Sequence, residues 1–512
     1  MVPRVRSGTG SLDAIVMTGA SLSWLRPAPR FALAAGMAFL FLAAVSGQGP
    51  APSDPPPEEP RSRVQGRGVG QQDPNRGRQD RAFVFRTNVP EHAYDIVLGN
   101  PTDTSVTASV LAYSPVEGYI EIGSRPGEYT ARSERLRFKA GEPREVAIDG
   151  LAADSRYYYR FRSHAAGESS FDTSDEFSFH TRRASGSEFV FTVQADSHLD
   201  ARTDPRLYEI SLRGALRAGP DFHVDLGDTF MTDQRRQDYR AALAQYIAQR
   251  YYFGLIGTNA FIFLVSGNHD GEGMARGDMG AWARDQRRRY FPTPSLGPHD
   301  GGNYYAWEWG DALFVALDPF AMTPRRGARG DYWTRTLGLD QYRWLEETLA
   351  ASPAKFKFVF IHHLVGGMNQ AARGGVGAAS RYEWGGHDAD GTFRFEERRP
   401  GWAKPVHMLL ADAGVSIVFH GHDHFFAKEE LDGIVYQLVP QPGLDRYAPP
   451  REAASLYPEA EVVGGPGHLR VTVGAEAALV ELVQAGRGSR ANADGRIAHS
   501  YRVRPRCVGG CQ

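Results

Sequence analysis

The sequence predicts a layered α/β domain preceded by an all-β sandwich, and three observations carry that expectation. From residue 187 to 483, apolar strand-like runs alternate with stretches whose apolar positions recur every three or four residues, the pattern of helices packed on a sheet. From 81 to 183 the pattern is instead a series of short alternating runs split by turn residues, about seven in a hundred residues, which is sandwich spacing. Five apolar runs of the later region end in Asp, Asn or His, and open α/β sheets bind ligands beyond the carboxyl ends of their strands.

In chain order, the first thirty residues carry Arg4, Arg6, Arg26 and Arg30 against a single acid, Asp13, and an apolar run follows at 31–45. That run falls short of the roughly 20 residues a membrane span requires. Ser46 and Gly47 come next, so 1–47 reads as an export signal cleaved near Gly47. Met17 is an alternative start, and an uncleaved anchor is the second reading. No cysteine adjoins the run, which excludes a lipid anchor. Residues 48–80 are rich in Pro, Gly, Gln and charge; such a stretch buries too little apolar surface to offset its ordering entropy and reads as a tether. Segment 81–183 places strands at 94–98, 105–112, 118–123, 135–138, 144–148, 156–161 and 176–180. Its stretch 151–160, with Tyr157 as the corner, resembles the tyrosine-corner segment of fibronectin type III-like domains.

Region 184–486 places helices at 208–218, 234–249 and 339–349 between its strands, and closing strands at 434–439, 468–473 and 478–483. Past Gly486 periodicity is lost, and 487–512 reads as a tail whose Cys507 and Cys511 close a small loop or stay unpaired. A formal charge of −2 supplies no basic field to gather nucleic acid, so no stable nucleic-acid partner is expected. The chain has no G-x-S-x-G elbow and no G-x-x-x-x-G-K loop, which argues against a serine hydrolase and a P-loop nucleotidase.

The most informative stretch is Ser416-Ile-Val-Phe-His-Gly-His-Asp-His424. A β-branched and aromatic run meets a glycine and then presents His422 and His424, which leave an extended chain on the same side. Four other runs deliver Asp196 and His198, Gly227 and Asp228, Gly267-Asn268-His269-Asp270, and His362-His363. Imidazole, carboxylate and amide oxygen are ligands for divalent metals.

Taken in sequence order, D-x-H, G-D, G-N-H-D, H and G-H-x-H resemble the calcineurin-like metallophosphoesterase superfamily from about Glu188 to about Val483. The β-rich segment ahead points to its purple acid phosphatase-like branch. The resemblance implies two facing mixed sheets between outer helices, with the site along one edge. Two carboxylates, one amide and four imidazoles exceed the four ligands of a tetrahedral zinc and suit two cations sharing a bridge. By motif, one metal takes Asp196, His198, Asp228 and His424, and the other takes Asp228, Asn268, His362 and His422. Zn, Fe and Mn all accept such ligands. The implied nucleophile is a metal-bridging hydroxide. The implied aid to the leaving group is His269, for which Asp270 is the neighbouring candidate partner. His363 is the alternative to His362, since neighbours on a strand point oppositely.

The implied reaction is hydrolysis of small-molecule phosphate esters, monoesters ahead of diesters of nucleotides or phospholipid head groups. A non-catalytic exported metal-binding protein is the reading from another class. Where purple acid phosphatases carry a colour-giving Tyr, three residues past the bridging Asp, this chain has Met231. The Gly-rich insertion 365–402 is expected to overhang the metals, with His363, Arg381 and His387 as candidate substrate contacts. Oligomeric state is left open.

Overall fold

Five strands deliver the candidate ligands, and they set the frame: β1 (Phe189–Gln194), β2 (Phe222–Asp225), β3 (Phe261–Leu264), β4 (Phe356–Ile361) and β5 (Ile417–His420). In the computed structural model the described residues are 84–165, 167–235, 238–294, 303–324 and 330–506. The export segment, the tether, Cys507 and Cys511 lie outside them.

β1, β2 and β3 run parallel at the heart of a nine-stranded sheet, and β4 and β5 run parallel inside a seven-stranded sheet. Both sheets are mixed. In the first, β1 pairs antiparallel with Gly467–Val473; in the second, Phe426–Leu431 runs antiparallel to Ile434–Leu438. The sheets face each other across a phenylalanine core. Phe191 stacks on Phe222 with ring centroids 5.3 Å apart, and Phe314 meets Phe191 edge-on at the same distance. Phe360 stacks on Phe419 at 5.2 Å. Burying each such ring contributes roughly 1.5–3 kcal/mol, so the facing of the sheets is strongly specified.

The outer faces are covered by helices. α1 (Pro205–Arg217) starts where Asp204 accepts the amides of Arg206 and Leu207 and Pro205 opens the first turn. With α2 (Leu243–Gly257) it packs Leu212, Tyr246, Phe253 and Ile256 over the first sheet. The helix Leu339–Ala351 sets Leu345 and Leu349 against Val315, Val359 and Val418 of the second. The expected helix–sheet–sheet–helix stack is therefore present.

Three local expectations change. The helix expected over 234–249 begins later and runs further: two short 3-10 turns, Thr232–Gln234 and Tyr239–Ala242, precede α2. Asp238 caps the second turn through Arg240 N, and the apolar face continues to Ile256. The all-β segment carries the expected strands, and the Tyr157 hydroxyl accepts the amide of Ala152 at 2.8 Å as a tyrosine corner does. However, Tyr94–Gly99 pairs parallel with β3, so Tyr94–Gly99, Ser105–Ala112 and Arg144–Asp149 extend the nine-stranded sheet. Finally, the expected tail contains an ordered strand. Ile497–Val503 pairs with Ala478–Gln484 and closes the far edge of that sheet. Only Val503 of it is buried, so no apolar period announced it.

Candidate active site

After β1, β2 and β5 the chain turns through unusual backbone. Asp196 (φ 61°), His198 (φ 43°), Asp228 (φ 56°), His422 (φ 77°) and His424 (φ 68°) all occupy the left-handed region. For residues other than glycine this costs on the order of 1–3 kcal/mol each, and such strain gathers at functional sites. Two glycines let the turns cross closely. A Cβ on Gly267 would stand 1.9 Å from the amide nitrogen of Asp228, and Gly227 (φ 93°) would strike Gly267 in return.

Buried polar groups hold these turns. The Asp270 carboxylate accepts the amides of Gly267, Thr229 and Phe230 at 2.8 Å each and that of Asp228 at 3.1 Å. Asp225 accepts the Gly227 amide and the Thr229 hydroxyl. From α2, Gln245 donates to the carbonyls of His198 and Thr229, and Gln249 donates to Thr229 O and Ser197 Oγ. Neither glutamine was singled out from the sequence. Their signal there is two amides four apart on a helix whose one charged residue is Arg250.

All seven predicted ligands converge. Nε2 of His424 and Nε2 of His198 lie 3.4 and 3.6 Å from Asp196 Oδ1. His362 Nε2 lies 3.3 Å from Asp228 Oδ2, 3.2 Å from His422 Nδ1 and 3.0 Å from Asn268 Oδ1. Asp228 Oδ2 also stands 3.6 Å from His198 Nε2, so this one oxygen faces both groups. Ligand bonds of about 2.0–2.1 Å in a tetrahedral site place neighbouring donors roughly 3.4 Å apart, which is the spacing seen. Asp196 Oδ1 and His198 Nε2 are buried without a hydrogen-bond partner. Buried polar atoms are rarely left so, and cations fit the vacancy in their bonding.

Two of the rings are fixed on their far side as ligand histidines require. His362 Nδ1 donates to Leu226 O at 2.8 Å, and His422 Nε2 donates to Ala371 O at 2.5 Å. The Asp200 carboxylate faces His198 Nδ1 at 3.5 Å. Burial alone would raise the pKa of Asp196, but His424, His198 and His362 hold it well below the carboxylate range. Asp228 is likewise held down by His362 and His269 against burial. Burial pulls His362 down, yet the Asp228 and Asp196 carboxylates lift it to about 9. Burial with His362 beside it pushes His422 down to about 4.

The remaining predicted residues lie outside the two ligand groups. His363 stands beside them, its ring 5.3 Å from that of His422 and edge-on to Phe320, its Nδ1 paired with Leu364 O at 3.0 Å, and it lines the adjoining cavity. Arg381 and His387 form a backbone bridge within the insertion, where His387 Nδ1 faces Ser380 O and Gly385 O. Asp270 is not the partner of His269, because its oxygens are committed to the four amides above. The partner is Asp233, whose Oδ1 lies 2.9 Å from His269 Nδ1. The insertion does meet the histidine motif: Gly374 N donates to Asp423 Oδ2 at 3.1 Å, and Arg373 pairs with Asp423 Oδ1 at 3.0 Å. Its middle is structural, with Glu383 buried against Arg399 and Trp384 Nε1 donating to Tyr436. Beside the ligands opens a cavity of about 640 Å³ lined by Asn268, Arg276, Phe320, Tyr332, Arg335 and His363, among others.

Two groups of side chains that could each hold a metal ion, with one carboxylate oxygen facing both, stand at the strand ends of a sandwiched α/β fold, the arrangement expected of a dinuclear metallohydrolase. Residues 189–426 match the family model described as calcineurin-like phosphoesterase. The chain therefore carries a metallophosphoesterase domain of that family and is a metal-dependent phosphoester hydrolase. Among solved structures it is similar to PhoD (TM-score 0.56, 13% identity, 77% of this chain and 87% of that one covered). It is also similar to purple acid phosphatase PPD1 from yellow lupin (Lupinus luteus) seeds (TM-score 0.55, 14% identity, 80% and 74% covered). At these identities the likeness is one of fold. No curated protein sequence matches the chain.

Proposed function

We propose that the protein is an exported phosphatase that hydrolyses small phosphoric monoesters at a two-metal centre. The observation that carries this reading is the position of Asp228 Oδ2, 3.3 Å from His362 Nε2 and 3.6 Å from His198 Nε2, where one carboxylate serves both ligand groups. Asp196, His198 and His424 would hold one ion, and Asn268, His362 and His422 the other. Bound there, two dications supply Lewis acidity for the phosphoryl oxygens and an activated solvent nucleophile. The N- and O-donor set, without thiolate, suits Zn, Fe or Mn.

The chain's own residues do the rest. His269 Nδ1 faces Asp233 Oδ1 at 2.9 Å and Gln234 Nε2 at 2.8 Å, which leaves Nε2 directed toward Asp228 across 4.0 Å. From there it holds the proton that the departing alcohol oxygen takes up, help typically worth about 10²–10⁴ in rate. Phosphodiesters are the second reading, favoured by the adjoining cavity, which leaves room for another ester arm. Export rests on the composition of 1–47; no helix among the described residues is long and apolar enough to cross a membrane.

Elemental analysis of the purified protein, with p-nitrophenyl mono- and diesters assayed after adding back Zn, Mn or Fe, tests the reading. Two metals per chain and faster monoester turnover are expected. A faster diester reaction reverses the substrate order, and metal binding without turnover of either ester removes the enzyme reading.

A further inference from the structure

The cavity beside the ligands is much larger than a phosphate group needs, and its wall is chemically uneven. Pro319, Phe320, Pro324 and Tyr332 give it an apolar side. Among the described residues its charged lining is Arg276, Asp331 and Arg335. Arg276 is matched by Asp233 at 3.0 Å. Asp331 is spent elsewhere, since Oδ1 accepts the Trp333 amide and Oδ2 faces Arg398 at 3.7 Å. Arg335 has no carboxylate within 4.0 Å among the described residues, and the one hydrogen bond of its guanidinium there is Nη2 to Gln370 O at 2.6 Å. Burial lowers its pKa, and Tyr332 works only weakly the other way, with no carboxylate beside it. A half-buried guanidinium with unused donors, facing a cavity, is prepared for an anion.

We infer that this cavity receives the alcohol portion of the substrate and that Arg335 binds a second negative charge on it, so that the preferred esters have an apolar leaving group ending in a carboxylate or a second phosphate. This rests on the phosphoesterase reading. The reaction is unchanged: water adds to phosphorus, the P–O bond to the alcohol breaks, and the alcohol leaves with its anionic end still held.

The test uses the metal-loaded protein and matched pairs of ligands. Calorimetry compares 4-carboxybenzylphosphonate with its neutral isostere 4-carbamoylbenzylphosphonate, and kinetics compare the corresponding aryl phosphates. One charge-assisted contact predicts about tenfold tighter binding of the carboxylate member. The same preference is expected in kcat/KM. Arg335→Gln should reduce it to near unity, and Arg335→Lys should restore part of it. Equal binding of the two phosphonates by the wild type overturns the inference without recourse to any variant. A preference that persists in Arg335→Gln overturns it too. Should the phosphonate preference hold while neither aryl phosphate is turned over, the Arg335 assignment stands and the esterase reading falls. Adding 1,4-phenylene bisphosphate to the series decides which anion Arg335 favours.

Discussion

Asp233 Oδ1 lies 2.9 Å from His269 Nδ1, and the other oxygen of the same carboxylate holds Arg276 at 3.0 Å. His269 is thus oriented from behind by a residue five positions past Asp228. Burial lowers the pKa of His269, while Asp228 and Asp233 together raise it above the ordinary imidazole value. A raised pKa keeps the proton available for a leaving group until pH climbs through the folded value. Asp233→Asn removes one raising charge, so the basic limb of kcat/KM should move to lower pH. Loss of orientation should cost about tenfold to a hundredfold in kcat, part of the 10²–10⁴ that general acid help is worth. A pH–rate profile superimposable on wild type would mean that Asp233 only packs.

The bridging position of Asp228 makes it unlike Asp196. Asp228→Asn should strip both ions or leave a single, weakly held one, because its oxygen faces both ligand groups. Asp196→Asn should weaken mainly the ion of His198 and His424. Metal stoichiometry after gel filtration in chelator distinguishes the two. Identical losses in both variants would contradict the division of ligands.

The ligand residues were legible because strands buried on both faces are continuous apolar runs, so the first Asp, Asn or His after each run marks its end. Asp233 was not legible. It sits in a 3-10 turn after Met231, whose φ of 50° reverses the chain, and nothing periodic records that reversal. Asp270 was misread for a related reason: adjacency in the chain says nothing about which way a side chain leaves a turn. The pairing of Tyr94–Gly99 with β3 joins residues some 160 positions apart, and local pattern encodes each strand but not its neighbour.

The insertion should matter for metal retention through Asp423. That carboxylate accepts the Tyr457 hydroxyl at 2.6 Å and the Gly374 amide at 3.1 Å, and it pairs with Arg373. It thereby fixes the loop whose Ala371 carbonyl holds His422 Nε2. Partners of this kind are typically worth about 10–100-fold in metal affinity. Asp423→Asn should therefore release metal to a chelator at least several times faster, with little change in the folded far-ultraviolet spectrum. Unchanged release would show that the loop merely rests on the motif.

Met231 is buried at the position where a tyrosinate ligand would stand in the purple enzymes, and a thioether there supplies no phenolate. Protein loaded with ferric iron should accordingly show no tyrosinate charge-transfer band in the visible. A purple or pink product would require a phenolate ligand that this geometry does not offer.

Acid should destabilise the fold through two histidines remote from this chemistry. His223 on β2 gives Nδ1 to a bond with Thr192 Oγ1 at 2.8 Å and leaves Nε2 buried without a partner; His468 has a partner on neither nitrogen. Burial drives both down to about 3, helped by His468 at His223 and by Arg470 and Arg217 at His468. Their unfolded value is near 6.5. Between about pH 6.5 and 3 the unfolded chain therefore binds a proton at each that the folded chain refuses, and stability falls as pH falls. Each can contribute a slope approaching about 1.4 kcal/mol per pH unit in that window, whereas above pH 7 neither contributes any. His223→Gln can keep the bond to Thr192 and cannot take up the proton. Urea unfolding at pH 7, 6 and 5 should then show a shallower loss of stability than wild type. Parallel curves for the two proteins would mean that His223 is protonated in the folded state, and the buried pair would not be the source of acid sensitivity.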